Sequence, residues 1–267
     1  MEPALVVGLL WLSFGAFHIG LGTTSIRARL VAALGELGFT AVFSLVSAAW
    51  FTAIVRTYAA HRWEGAAGLA LGAVTPLRWL LIAVIAGAIA LMAGGLAAYP
   101  RMPSALFGQP IRQPRGIERI TRHPFFAGVT MLGLGHALLA TRLVGAVFAL
   151  GLALVAIVGA RHQDAKFLAR RGPAYQEYVR ATSAIPFAAL LAGRQRLIWR
   201  ELPLRALLGG LGIALLLRAG HAGLFAAGGN WIVLAVVGGA RVATFQSWRR
   251  ARRLGVTPSR SLDRHDG

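Results

Sequence analysis

Two histidines lie inside long apolar runs: His18 in Ala4–Gly22 and His136 in Pro124–Ala140. A neutral imidazole at such depth costs less than a charge, but its ring nitrogens still need partners. One outcome is a hydrogen bond between helices, for which Ser13, Ser44, Ser47 and Thr130 are available. The other is metal chemistry: imidazole is an axial ligand of haem iron, and a helical bundle can cage a haem. The remaining histidines fall at the ends of the apolar runs or in the tail. His61 and His221 sit at one side, His123 and His162 at the other, and His265 near the C-terminus. His136 with His221, or His18 with His123, are therefore rivals to His18 with His136 as a ligand pair. The chain contains no cysteine and only four methionines, so thiolate chemistry and iron–sulfur clusters are excluded.

A second cluster of chemistry-bearing residues opens with Glu118-Arg119-Ile120-Thr121-Arg122-His123-Pro124. Pro124 suits the first turn of a helix. Arg122 and His123 then stand at a helix N-terminus, placed to bind an anionic group of a cofactor or substrate. Downstream come Gln163-Asp164, Gly172-Pro173, Tyr175, Tyr178 and Ile185-Pro186-Phe187. Tyr175 and Tyr178, three apart, are expected on one face of an interfacial helix.

Positioning these residues falls to hydrophobic helices. The 267 residues are 57% hydrophobic and 14% charged, against about 45–50% and 25% for soluble domains. Seven apolar runs span roughly 4–22, 37–60, 77–98, 124–140, 142–160, 203–219 and 223–240, most of them near the ~20 residues that cross a bilayer. The expected fold is all-α: a polytopic membrane bundle of about seven transmembrane helices, six being the other count. The fourth and fifth should form a tight hairpin at Thr141-Arg142. All nine acids fall outside these runs, which argues against a proton- or cation-coupled transporter.

The net charge of +19 follows a topology. With seven spans, 23 of the 28 basic residues fall on one side, which the positive-inside rule makes cytoplasmic. The N-terminus is then outside and the C-terminus in the cytoplasm. The segment Trp248–Arg253 reads as a juxtamembrane anchor, and dispersed basic loops give no nucleic-acid module.

The run from Arg122-His123-Pro124 to Ile185-Pro186 resembles isoprenylcysteine carboxyl methyltransferases, implying a third, less favoured reading as a membrane methyltransferase. That family carries paired glutamates where this chain has Gln163-Asp164. A fuller resemblance is to the NnrU family, toward its zeta-carotene isomerase branch, from His18 to His221. It rests on His18-Ile19-Gly20-Leu21, Leu34-Gly35-Glu36, Phe43-Ser44-Leu45-Val46-Ser47 and His61-Arg62-Trp63-Glu64-Gly65. It continues through Ile120–Pro124, His136, Thr182–Ala189, Gly193-Arg194-Gln195 and His221. The family domain would cover 1–229. Residues 230–267 would add the rest of the last span and a basic tail.

The resemblance implies a b-type haem and cis–trans isomerisation of a double bond in a lipid-soluble polyene. It implies His18 and His136 as axial ligands, with His61 and His123 also needed for activity. A ligand switch between His and Cys, expected of the isomerase branch, is impossible here: position 133 is glycine. An NnrU-type accessory role in nitrogen-oxide respiration (denitrification) is the alternative implied. The expected location is a bacterial inner membrane, beside respiratory or carotenoid-pathway membrane proteins.

Overall fold

A computed structural model describes residues 1–103 and 110–253. It is helical, and among the described residues the only β-pairing is an isolated bridge between Ala67 and Arg142. In chain order come α1 (Pro3–Gly20), α2 (Thr24–His61), α3 (Thr75–Ala98), α4 (Pro124–Leu139) and α5 (Leu143–Ala181). The short α6 (Ala188–Leu191), α7 (Leu204–Ala219) and α8 (Asn230–Arg253) follow.

Four of these, α1, α2, α3 and α5, are long and apolar enough to cross a membrane. Pro124–Leu139 and Asn230–Val242 are shorter apolar helices. At 16 residues each, α4 and α7 span about 24 Å, below the ~30 Å of hydrocarbon. Seven apolar runs thus yield four full-length candidate spans and three shorter helices. The last run shortens because Gly228 and Gly229 both take positive φ, so α8 starts at Asn230. Arg260, Arg264 and His265 of the tail lie outside the described residues.

Two segments between the apolar runs are helical. Residues 24–34 extend α2, being rich in the strong helix formers Ala, Leu and Arg, and Arg27 and Glu36 form an ion pair across the kink at Gly35. α5 runs on past Arg161 to Ala181, bending at Gly172 (φ 52°) just before Pro173. Proline inside a helix costs a hydrogen bond and clashes with the preceding turn. The glycine absorbs that break.

The chain divides into two compact units. The first comprises Met1–Ile85, Thr130–Val155 and Leu217–Gly238. Its core joins Ala4, Val7, Trp11 and Phe14 of α1 to Ile54 of α2 and Val144 of α5. The α4–α5 turn forms at Thr141-Arg142 as expected, and the segment after α2 clasps it. Gly68 and Ala70 donate backbone hydrogen bonds to Thr141 and Ala140. Leu143 donates to Ala66, and Arg142 reaches the Gly65 carbonyl at 3.2 Å. The second unit comprises Ala86–Val129, Ala156–Leu216 and Gly239–Gly267.

Small residues let α4 and α5 approach closely, the usual means of packing helices in lipid. A Cβ on Gly133 would lie 2.6 Å from the Ala149 carbonyl oxygen and 3.0 Å from Ala153. Backbone cannot yield as a flexible side chain does. Gly133→Ala is therefore expected to destabilise the detergent-solubilised protein by about 1–3 kcal/mol. The check is the thermal midpoint followed by circular dichroism, and an unchanged midpoint would contradict this packing.

Candidate functional site

The expected site histidines fall into separate environments. His18 is wedged on α1 between Phe14 and Phe43, with ring centres 5.0 and 4.9 Å away. Its Nδ1 shares a 2.9 Å hydrogen bond with Ser47 Oγ. This is the helix–helix bond that its burial demanded, made with one of the hydroxyls available for it. The ring lines a small apolar cleft with Phe17, Leu21, Val46 and Trp50. At the end of α2, His61 Nδ1 lies 2.9 Å from the exposed Glu64 carboxylate.

His136 is held differently. Its Nδ1 lies 2.9 Å from the Leu132 carbonyl oxygen, one turn back on α4. A carbonyl can only accept, so Nδ1 carries the proton. The neutral ring's Nε2 then keeps its lone pair. The described neighbour of this ring is His221, just beyond α7, with ring centres 6.2 Å apart and planes 11° from parallel. Both residues belong to the first unit. Of the three ligand pairs left open by the sequence, this is the one whose rings the structure records in contact.

The Nε2 of His136 could serve as a single metal ligand. No group of three or more His, Asp or Glu side chains able to hold a metal gathers among the described residues. A porphyrin supplies four nitrogens itself and asks the protein for one or two axial ligands. Imidazole with a fixed tautomer and a free Nε2 is such a ligand.

The second unit holds the cluster around Arg122 and His123. Arg122 grips Asp164 Oδ2 through Nε and Nη2, at 3.0 and 2.8 Å. His123 Nε2 and the Tyr175 hydroxyl each donate to Oδ1 at 2.8 Å. The anion expected beside Arg122 and His123 is thus a carboxylate of the same chain, 42 residues downstream of Arg122. Four donors occupy the roughly four acceptor sites of a carboxylate, leaving Asp164 none for a cofactor.

Tyr175 and Tyr178 share a face, as their spacing predicts, and that face is turned into the protein. Both are buried, packing with Phe167 and Ile111 after the bend at Gly172. Tyr178 donates to the buried Glu118 at 3.4 Å, and Arg112 clamps that carboxylate at 2.8 and 3.1 Å. Burial pushes the Glu118 carboxyl above its ordinary range; Arg112, the Arg115 amide and Tyr178 pull it back only in part. Arg119 binds Glu201 and Gln195, each at 3.0 Å. The Arg119 guanidinium and the Gly116 amide hold Glu201 below the usual carboxylate range. Backbone bonds from Arg122 to Ser183 and from Phe187 to Ile120 complete the lacing of 110–123 to 180–201. The Glu118–Tyr178 and Arg119–Glu201 pairs were missed in the sequence because no local spacing links residues 60 and 82 positions apart.

Comparison with known proteins adds a family. The chain is 27% identical over 199 residues to a Zea mays protein named 15-cis-zeta-carotene isomerase, chloroplastic, covering 72% of this chain and 52% of the relative. An Arabidopsis thaliana protein of the same name is 28% identical over 200 residues, covering 73% and 52%. The chain spans about half the length of these curated relatives. No solved structure matches it. The family model described as NnrU protein matches residues 5–228, well over half the sequence. The chain belongs to the NnrU family.

Proposed function

We propose that the protein is a haem-b-dependent membrane enzyme that isomerises a cis double bond in a lipid-soluble polyene. The observation that carries the reaction class is the match to two proteins named 15-cis-zeta-carotene isomerase across nearly three-quarters of the chain. Its apolar helices suit a bilayer, from which such a substrate would be drawn. We take that bilayer to be a bacterial inner membrane, with the basic loops on its cytoplasmic side.

His136 is the residue this reading assigns to the iron, because its Nδ1–H is committed to Leu132 and its Nε2 is free. Held there, a ferrous haem would supply electron density to a conjugated double bond and ease its rotation. The chain's own part is to fix the ring of His136, to keep charge out of the surrounding apolar helices, and to exclude water. His18, whose Nδ1 is likewise engaged, by Ser47 Oγ, is the second ligand that the family resemblance implies, and His61 lies beside Glu64 at the end of α2. The saturated Asp164 speaks against the methyltransferase reading, since a cofactor amine would find no acceptor there.

Purified protein is expected to show a Soret band and to convert a 15-cis polyene to its trans form in the dark, under reducing conditions. Without a Soret band, even after reconstitution with haemin, the haem assignment fails. Haem-loaded protein that leaves a set of cis-polyenes unchanged would overturn the isomerase assignment and leave a haem protein of another role.

A further inference from the structure

Between α5 and α7 the chain holds only the four-residue α6 and the 3₁₀ turn Trp199–Glu201. Ile185, Phe187, Leu191 and Trp199 are each more than half exposed there, Leu191 by 88%. Interleaved with them are Arg194, Arg196 and Arg200, all exposed, and Arg205 follows in the first turn of α7.

The backbone of this stretch is tied down on its inner side. Arg194 Nη1 donates to the Arg180 and Thr182 carbonyls at 2.5 and 2.9 Å, and Gln195 Nε2 donates to the Ala181 carbonyl at 3.1 Å. Phe187 stands at φ 64°, a conformation that a bulky residue rarely adopts, and its amide donates to the Ile120 carbonyl. Glu201, the one acid in 185–205, is held by Arg119 and by the Gly116 amide. Arg196, Arg200 and Arg205 form no ion pair among the described residues.

Exposed aromatic and aliphatic side chains beside uncompensated guanidinium groups suit the layer where acyl chains meet anionic headgroups. Tryptophan favours that layer, its ring in the apolar part and its N–H in the wet part. The stretch also leads directly into α7, which exposes Leu208, Leu215 and Leu216 as a helix in lipid does. That continuity favours the bilayer over a soluble protein as the occupant of this face.

We propose that residues 185–205 form an interfacial anchor selective for anionic glycerophospholipids. Phe187, Leu191 and Trp199 enter the upper acyl region, and Arg196 and Arg200 bind lipid phosphate, whose oxygens match the guanidinium fork. Tyr175 and Tyr178, folded inward, leave the interfacial role to this stretch. The anchor is independent of the haem and of the reaction.

The chain contains no cysteine, so Leu191→Cys in the full chain takes a thiol-reactive, environment-sensitive fluorophore at that position alone. In nanodiscs of mixed phosphatidylglycerol and phosphatidylcholine, its emission should be blue-shifted and quenched at least ~2-fold by spin-labelled acyl chains. Phosphatidylcholine alone should give clearly weaker quenching. Adding Arg196→Gln and Arg200→Gln should lower quenching in the mixed discs to that weaker value, whereas Arg196→Lys with Arg200→Lys should retain most of it. Quenching absent in both discs, equal in both, or unaltered by the glutamine pair would overturn the proposal. So would a blue-shifted fluorophore that the acyl-chain labels do not reach, which would show that a second copy or another protein covers this face.

Discussion

Asp164→Ala is expected to cost about 3–5 kcal/mol of stability, the range for removing one partner of a buried ion pair. The carboxylate joins three residues from two places: Arg122 and His123 before α4, and Tyr175 beyond the bend of α5. Its loss leaves the Arg122 guanidinium, 13% exposed, without a counter-ion. It also leaves Tyr175, fully buried, with a hydroxyl that has lost its acceptor. Tyr175→Phe removes a single bond to a charged group and should cost less, about 1.5–3 kcal/mol. Because both changes act on one network, the double variant should lose less than the sum. Thermal midpoints in detergent or nanodiscs, read with limited proteolysis of 110–201, measure all three. If Asp164→Ala melts with the parent, the network contributes nothing and the account of this unit is mistaken.

Such a network marks where the sequence stops being readable. The spacing of Tyr175 and Tyr178 correctly puts them on one face, and Arg122-His123-Pro124 correctly reads as a helix start that attracts an anion. Neither pattern says which anion. The answer lies a whole helical hairpin away, at Asp164, and depends on α5 running past the apolar stretch and bending at Gly172. Arg/Tyr pairs near a membrane have the same composition whether they anchor to headgroups or fold inward onto Glu118. Only the path of the chain distinguishes them.

The apolar half was more legible because hydrophobic periodicity is local. The starts of α1, α3 and α4 follow from Pro3, Thr75-Pro76 and Pro124, and the hairpin from Thr141-Arg142. His18 meets one of the serines available to it. What local pattern could not supply is the shortfall of α4 and α7, or the turn after α7 that carries His221 toward His136. That approach is a tertiary event, accompanied by Phe225 packing near Tyr58 and Phe148, with ring centres 5.0 and 6.4 Å away. Position 133 shows the two levels agreeing. The sequence removes cysteine there, and the Ala149 carbonyl leaves no room for any side chain.

His136→Ala is expected to abolish the Soret band of the purified protein and to reduce isomerisation by more than ~100-fold, beyond what loss of an outer-shell partner of a metal ligand costs. The size of this effect has a structural reason. His136 approaches from a helix, and its ring orientation and tautomer are both set by the Leu132 carbonyl. That hydrogen bond comes from backbone four residues away and persists whatever happens to the turn at His221. An imidazole so fixed loses little freedom on binding iron. His136→Gln distinguishes ligation from packing: it retains a polar side chain of comparable reach but cannot replace imidazole at iron. Both variants should keep the helical circular dichroism of the parent, since His136 makes its one described hydrogen bond within its own helix. If His136→Gln retains the full Soret band and activity, iron is held elsewhere.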